Sequence, residues 1–324
     1  MGRYIIRRVV YAIPVILIAS IIVFTVIHIT TPPRPPARSA GVTQEALAEY
    51  AHHLGLDKPG WQQYLIWLNN FIHLDWGTSI VTGRPVLPDI QTALVNSLIL
   101  GIAATVVSLS VGITLGVYSA LHQYSPGDHL MSGAAFMGIS MPTFWLALLM
   151  QILFGFYFTQ WFHLSEPMFY TAGMYKPGAQ GESMIDLLRH MVLPVIVISV
   201  QVIAVYSRYM RASMLEILQS DFLRTARSKG IREKRVIVRH AMRNALIPIT
   251  TQVAIDLGAI ASGLIVTETI FQWPGMGPLF IEAVDTGDYP VVLAWVMVTV
   301  FFVIVFNLIA DILYAVLDPR IRYA

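Results

Sequence analysis

The chain reads as an all-α integral membrane protein. It is expected to have six transmembrane helices, cytoplasmic N- and C-termini, an external helical loop domain after the first helix and a two-helix loop on the cytoplasmic side. Three observations predict this. The 324 residues are 56% hydrophobic and only 12% charged, with mean hydropathy +0.65, whereas soluble domains carry about 25% charged residues. Six stretches approach the roughly 20 apolar residues that a spanning helix needs. The Lys and Arg residues are unevenly shared between the connecting segments, the asymmetry that sets orientation.

The spans follow in order. Val9–Ile29 holds no charged residue. Its apolar run exceeds the roughly 7–15 residues of a signal-peptide core, and TTPPRPP after it is a poor cleavage site, so it reads as an uncleaved anchor. Ser97–Leu121 is apolar and rich in small residues. Ala134–Phe162 is long enough to span with tilt and carries Pro142 as a kink. Met191–Ser207 is short, bounded by His190 and Arg208, which can snorkel. Ile247–Thr267 contains one carboxylate, Asp256, and Val291–Ala310 is followed by Asp311. With the N-terminus inside, fifteen of the 21 Lys/Arg fall in cytoplasmic pieces. The net charge of +2 therefore reports where basic residues sit, not an anionic partner. With no cysteine there is no disulfide and no thiolate site.

These spans divide the chain into residues 1–29 (tail and first helix), 30–96 (external loop domain), 97–317 (five-helix core, with a basic loop at 208–246) and 318–324 (cytoplasmic tail). In the external domain Thr43 is expected to cap a helix ending near Gly55, with Leu47, Tyr50 and Leu54 on one face. A second helix after Pro59 places Trp61, Tyr64, Leu65, Leu68 and Phe71 on one side. This loop serves either as an aromatic cap at headgroup level or as a docking surface, and both can hold. The adjacent His52 and His53 point about 100° apart on a helix and form no chelating pair.

The basic loop is the most informative stretch. Ten Lys/Arg lie between Arg208 and Arg243. Asp221 is expected to cap a helix over Phe222–Lys229, with Gly230 as its left-handed stop. Phe222 and Ala226 share a face at i, i+4. A second helix over Arg232–Ala245 carries an apolar stripe of Ile237, Val238, Ala241, Met242 and Ala245 opposite Arg235, Arg239 and Arg243, and Pro248 ends it. Membrane topology alone explains the charge but not the hinge or the stripe. The pattern favours a folded element offered to a partner.

Within the membrane, Gln151, Gln201, Gln252, Asp256, Asn307 and Asp311 are the costly polar groups. Gln201, Gln252, Asp256 and Asn307 are candidates for a substrate path. Asp256 has two readings of equal weight: a cavity-facing carboxylate that meets a cationic or amine-bearing cargo, or a structural pair with a neighbouring subunit. Asn307 also fits a helix–helix hydrogen bond. Asp311, nearer the inside, is expected to pair structurally at an interface. None of Lys58, Lys176, Lys229 or Lys234 follows a glycine, so there is no Walker A motif, and there is no G-x-S-x-G elbow. A membrane enzyme or proton relay would need more central ionisable groups. A secondary transporter would need inverted repeats and broken helices.

The segment with RTARSKG and RHAMRNALIP resembles the cytoplasmic coupling loop, the EAA motif, of ABC importer permease subunits. Arg224-Thr225-Ala226 stands where Glu-Ala-Ala is general, as in the peptide-transporter branch. RYIIRRVVYAIPV, LGLDKP, TGRPV, ISMPTFWLALL, TETIFQWPGMG, DYPVV and LYAVLDPRIR are similar to dipeptide/oligopeptide permeases along essentially the whole chain. TTPPRPP departs from the turn usual there. The resemblance implies a multi-pass subunit of a prokaryotic cytoplasmic (inner) membrane. Its expected partners are a second homologous permease, two ATP-binding subunits that hold ATP and Mg, an external substrate-binding protein and a peptide cargo. It implies no cofactor in this chain, no catalytic role and no nucleic-acid partner. It assigns ATPase docking to Asp221, Phe222, Arg224, Thr225, Ala226 and Gly230, with Arg239 and Asn244 supporting the loop. Nickel complexes, glutathione and oligosaccharides are alternative cargoes of close relatives.

Overall fold

The computed structural model describes residues 2–30, 58–176 and 183–317. The expected helix capped by Thr43, the His52-His53 pair and the 318–324 tail lie outside the described residues. The described chain is helical. Helix α1 is Gly2–Thr30, α2 is Gly60–Ile72, α3 is Val86–Leu121 and α4 is Pro126–Ser140. Helix α5 starts at Thr143–Met150, widens into a π-helical stretch over Gln151–Tyr157 and ends with Phe158–Trp161. Helix α6 is Met184–Leu218. The basic loop holds α7, Asp221–Ser228, and α8, which joins Glu233–Arg235, a π-helical stretch Val236–Ala241 and Met242–Ala245. Then come α9 (Ile247–Ile260), α10 (Ile265–Ile270), α11 (Met276–Thr286) and α12 (Tyr289–Leu317).

Among the described residues five helices are long and apolar enough to cross a membrane: those at 6–29, 86–121, 143–161, 184–218 and 289–313. The expected fifth span is shorter than its hydropathy suggests, because α9 stops at Ile260. Gly263, at φ +79°, turns the chain there, and a Cβ at that position would meet the Gly277 backbone nitrogen at 2.5 Å. The expected third span is also divided. Pro142 separates α4 from α5 instead of kinking one helix, with Met141 and Pro142 in extended backbone. The expected short fourth span is the middle of a 35-residue helix that tolerates Pro194. His190, expected to snorkel, is instead buried: its Nδ1 lies 2.8 Å from the Asp186 carbonyl oxygen and its ring stacks on Tyr170.

Helices α3 and α6 form the central pair, and Gly112 and Gly116 let their backbones approach. At the end bearing the basic loop, Ala120, Met210, Met214, Leu223, Val236 and Ile249 make one apolar cluster. At the opposite end Val86 and Ile90 of α3 pack on Met276, Ala283, Val291 and Trp295. Helix α2 docks on α1 through Tyr64 and Trp67, both beside Phe24, and through a 2.8 Å hydrogen bond between the Ser20 and Tyr64 hydroxyls. The predicted single apolar face of α2 therefore splits. Trp61 and Leu65 point outward, because the face toward α1 runs through residues 64 and 67, while Phe71 packs on the Val86–Trp295 cluster.

The Trp273–Gly277 segment is tied to α3 by polar groups that composition did not reveal. Fully buried Glu268 accepts from the Ser97 hydroxyl (2.6 Å) and the Gly277 amide (2.8 Å). Ser97 accepts from the Met276 amide, and the Trp273 indole donates to the Asn96 carbonyl. Glu268→Ala is expected to destabilise the protein by about 2–4 kcal/mol, because two buried donors lose their acceptor. Glu268→Gln should recover part of this: its amide oxygen replaces one acceptor while its NH2 opposes the Gly277 donor. Thermal unfolding in detergent checks the ranking of wild type, Gln and Ala.

Candidate functional site

The basic loop is a folded unit docked on the bundle. Ser220 sits in extended backbone ahead of α7, so Asp221 is the first helical residue and not the cap. Its carboxylate still lies at the favourable end of the helix dipole. Leu223 and Ala226 turn inward, 0% and 8% exposed, onto the cluster with Met210 and Met214. Phe222 is 46% exposed, and Arg224 and Thr225 face outward beside it. The expected shared face of Phe222 and Ala226 is thus divided, because the inward direction lies between Leu223 and Ala226, at i, i+3.

Gly230 has φ +74°, and its amide donates to the Arg227 carbonyl at 2.9 Å. Across this turn Arg227 holds Glu233 at 2.8 Å and keeps that carboxyl below its ordinary range. In α8 the buried stripe runs through Val236, Ala241 and Ala245, with Ile237 and Met242 partly buried. Val238, expected in the stripe, is 56% exposed. The π-helical stretch has i→i+5 bonding, which rotates the inward direction away from the 3.6-residue spacing. Arg235, Arg239 and Arg243 are exposed as expected, and the Asn244 amide donates to the His240 carbonyl at 3.1 Å.

Beside this loop sits a polar brace absent from the sequence reading. Asp128 of α4, 2% exposed, receives two hydrogen bonds from Arg211 of α6, at 2.9 and 3.0 Å. It also accepts from the Ser119 hydroxyl of α3 and from the Tyr124 amide. The Arg211 guanidinium, then Ser119, holds its carboxyl far below the usual carboxylate range. The signal is a lone Asp in the first turn of a helix after Ser125, with an Arg just past the end of an apolar run.

Of the path candidates, the structure brings two together. Asp256 accepts from the Gln252 amide (2.8 Å) and from the Tyr206 hydroxyl (2.7 Å), a partner 50 residues away on α6. Tyr206 and Asp256 line a cleft of about 290 Å³ between α3, α6 and α9. Gln201 lies elsewhere: it bonds the Met141 carbonyl and Thr143 and so braces the break at Pro142. Gln151 bridges the Thr171 and Ile270 carbonyls. Asn307 is exposed and lines a groove with Arg7, Arg8 and Asp311 at the basic-loop end. Asp311 pairs with Arg8 of its own chain at 2.8 Å. No cluster of metal-ligating side chains occurs among the described residues.

Long apolar helices carrying a folded basic loop at one end define a multi-span membrane component. Residues 112–323 match the family described as binding-protein-dependent transport system inner membrane component, and residues 1–89 match the N-terminal domain of such components. The chain belongs to this family and is a multi-pass inner-membrane protein. The oligopeptide transport system permease protein AppB of Bacillus subtilis is 36% identical over 100% of both chains. The dipeptide transport system permease protein DppB of Alkalihalophilus pseudofirmus is 35% identical over 100% of both chains. That of Escherichia coli K12 is 36% identical over 100% of this chain and 99% of its own.

Proposed function

We propose that this chain is one of two permease subunits of a five-part importer that carries di- or oligopeptides inward. A second permease, two ATP-hydrolysing chains and an external binding protein complete it. End-to-end similarity to dipeptide and oligopeptide permeases carries the reading. The basic loop supplies the mechanical link. Phe222, Arg224 and Thr225, with Asp221 at the helix start, form the face that enters the ATPase groove. Ala226 and Leu223 fix that face to α6, and Gly230, Arg239 and Asn244 shape the loop behind it. Closure of the ATPases on ATP would pull α7. Because α7 is packed on Met210 and Met214, the pull passes into α6 and hence to α3. ATP and Mg remain on the partner chains, and this chain contributes binding and motion.

Phe222 is the clean probe of docking, since it is exposed and its removal leaves the inner cluster intact. Phe222→Ala is expected to weaken ATPase retention about tenfold or more, as buried aromatic anchors do at interfaces, and to lower uptake in parallel. Co-purification from membranes with quantitative mass spectrometry, beside labelled-peptide uptake in vesicles, reads both. Full ATPase retention and uptake would remove the docking assignment. Ala226→Glu would instead place a charge in the buried cluster and report folding.

A further inference from the structure

We infer that the Asp256 cleft binds the ammonium group of a peptide in transit, with Asp256 as the counter-ion that sets the rate of passage. The inference deepens the peptide-importer reading and rests on it. Asp256 lies in the third turn of α9, well inside the apolar zone, where an ionisable side chain is costly and marks a pathway by default. Its two oxygens each accept from a neutral donor, Gln252 and Tyr206. Those bonds orient the carboxylate without neutralising it.

Among the described residues no cation on the neighbouring elements does so either. Helices α3 and α9 contain no Lys, Arg or His, and none lines the cleft. On α6, Arg211 is committed to Asp128, and Arg208 is exposed over the Phe136 ring. The cleft walls mix small or weakly polar residues, such as Gly101, Thr105 and Ser108, with apolar Ile198, Val202 and Leu264. Asp256 is the one carboxylate among these lining residues. Its volume of about 290 Å³ is close to the lower limit of ligand sites, about 300 Å³. An oriented carboxylate with no cationic partner among the described residues, in a cleft of this size, fits a small cation that arrives and leaves. Every peptide with a free N-terminus supplies one, and a lysine side chain supplies the same chemistry.

The test uses the complete transporter in proteoliposomes with saturating binding protein and two labelled dipeptides, Ala-Ala and Lys-Ala. Asp256→Asn keeps shape and an acceptor but removes the charge. It is expected to lower maximal uptake of both dipeptides about tenfold, with the KM for loaded binding protein unchanged and the complex intact on a native gel. Asp256→Glu should recover part of the rate. Loss for both dipeptides assigns the α-ammonium, and loss for Lys-Ala alone assigns the side chain. Undiminished uptake by Asp256→Asn overturns the proposal. Dissociation of the complex does so too, because the missing cation would then belong to the second permease. Wild-type liposomes that import neither dipeptide would fell the peptide reading itself, an outcome distinct from equal rates in wild type and variant.

Discussion

Gly230→Pro is expected to reduce uptake to background while the protein remains in the membrane. Gly230 has φ +74° and donates its amide to the Arg227 carbonyl. Proline is fixed near φ −65° and has no amide hydrogen, so both features are lost. The backbone must then leave the left-handed region, which separates Arg227 from Glu233 and swings α7 against α8. The local cost of about 3 kcal/mol corresponds to roughly a hundredfold fall in the population of the docking geometry. Gly230→Ala is the graded control. Its Cβ meets no atom within 4 Å, so only the φ strain of about 1–2 kcal/mol acts. Gly230→Asn tolerates the left-handed region better and should keep most uptake. Vesicle uptake, ATPase co-purification and nucleotide hydrolysis in parallel decide the matter. Gly230→Pro should detach the ATPases or leave them hydrolysing without transport. Wild-type uptake by this variant would mean that the loop turn plays no part in coupling.

Features set by sequence neighbours are legible in the residues, and features set by distant partners are not. Apolar runs locate α1, α3, α6 and α12 because lipid-facing helices need only composition and length. The left-handed turn at Gly230 and the outward arginines of α8 were legible because they depend on neighbours in sequence. What escaped was set by distant partners. The stop at Ile260 depends on Gly277 lying against Gly263, and hydropathy averages straight across it. The inward turn of Ala226 depends on α6, and the exposure of Val238 on a π-helical stretch with no sequence signature. Asp256 could be singled out as costly, but Tyr206, which holds it, is 50 residues away on another helix. Gln201 had the same apolar setting as Gln252 and serves a helix break instead.

Asp128→Ala is expected to destabilise the protein by about 2–3 kcal/mol and to lower uptake with it. The carboxylate joins three helices: Arg211 on α6, Ser119 on α3 and its own α4. Its removal leaves a guanidinium partly buried without its counter-ion, and unpaired charges of this kind are costlier than the pair was favourable. Arg211 lies on α6 immediately beside Met210, which packs on Leu223 of α7, so the same change loosens the seat of the coupling helix. A double-mutant cycle of Asp128→Asn with Arg211→Gln separates the pair from the individual losses, with about 1–3 kcal/mol of coupling expected. The pH dependence has a definite sign. The folded carboxyl lies below its unfolded value of about 3.9, so its contribution is complete above that value and is lost as pH falls through the folded range. Wild type and Asp128→Asn should therefore differ in unfolding temperature by the same amount at pH 5 and pH 8, and converge only below about pH 4. A difference that grew between pH 5 and pH 8 would assign the effect to another group. A variant as stable as wild type would show that α4 holds its place on α6 by apolar contact alone, leaving the coupling helix seated without the brace.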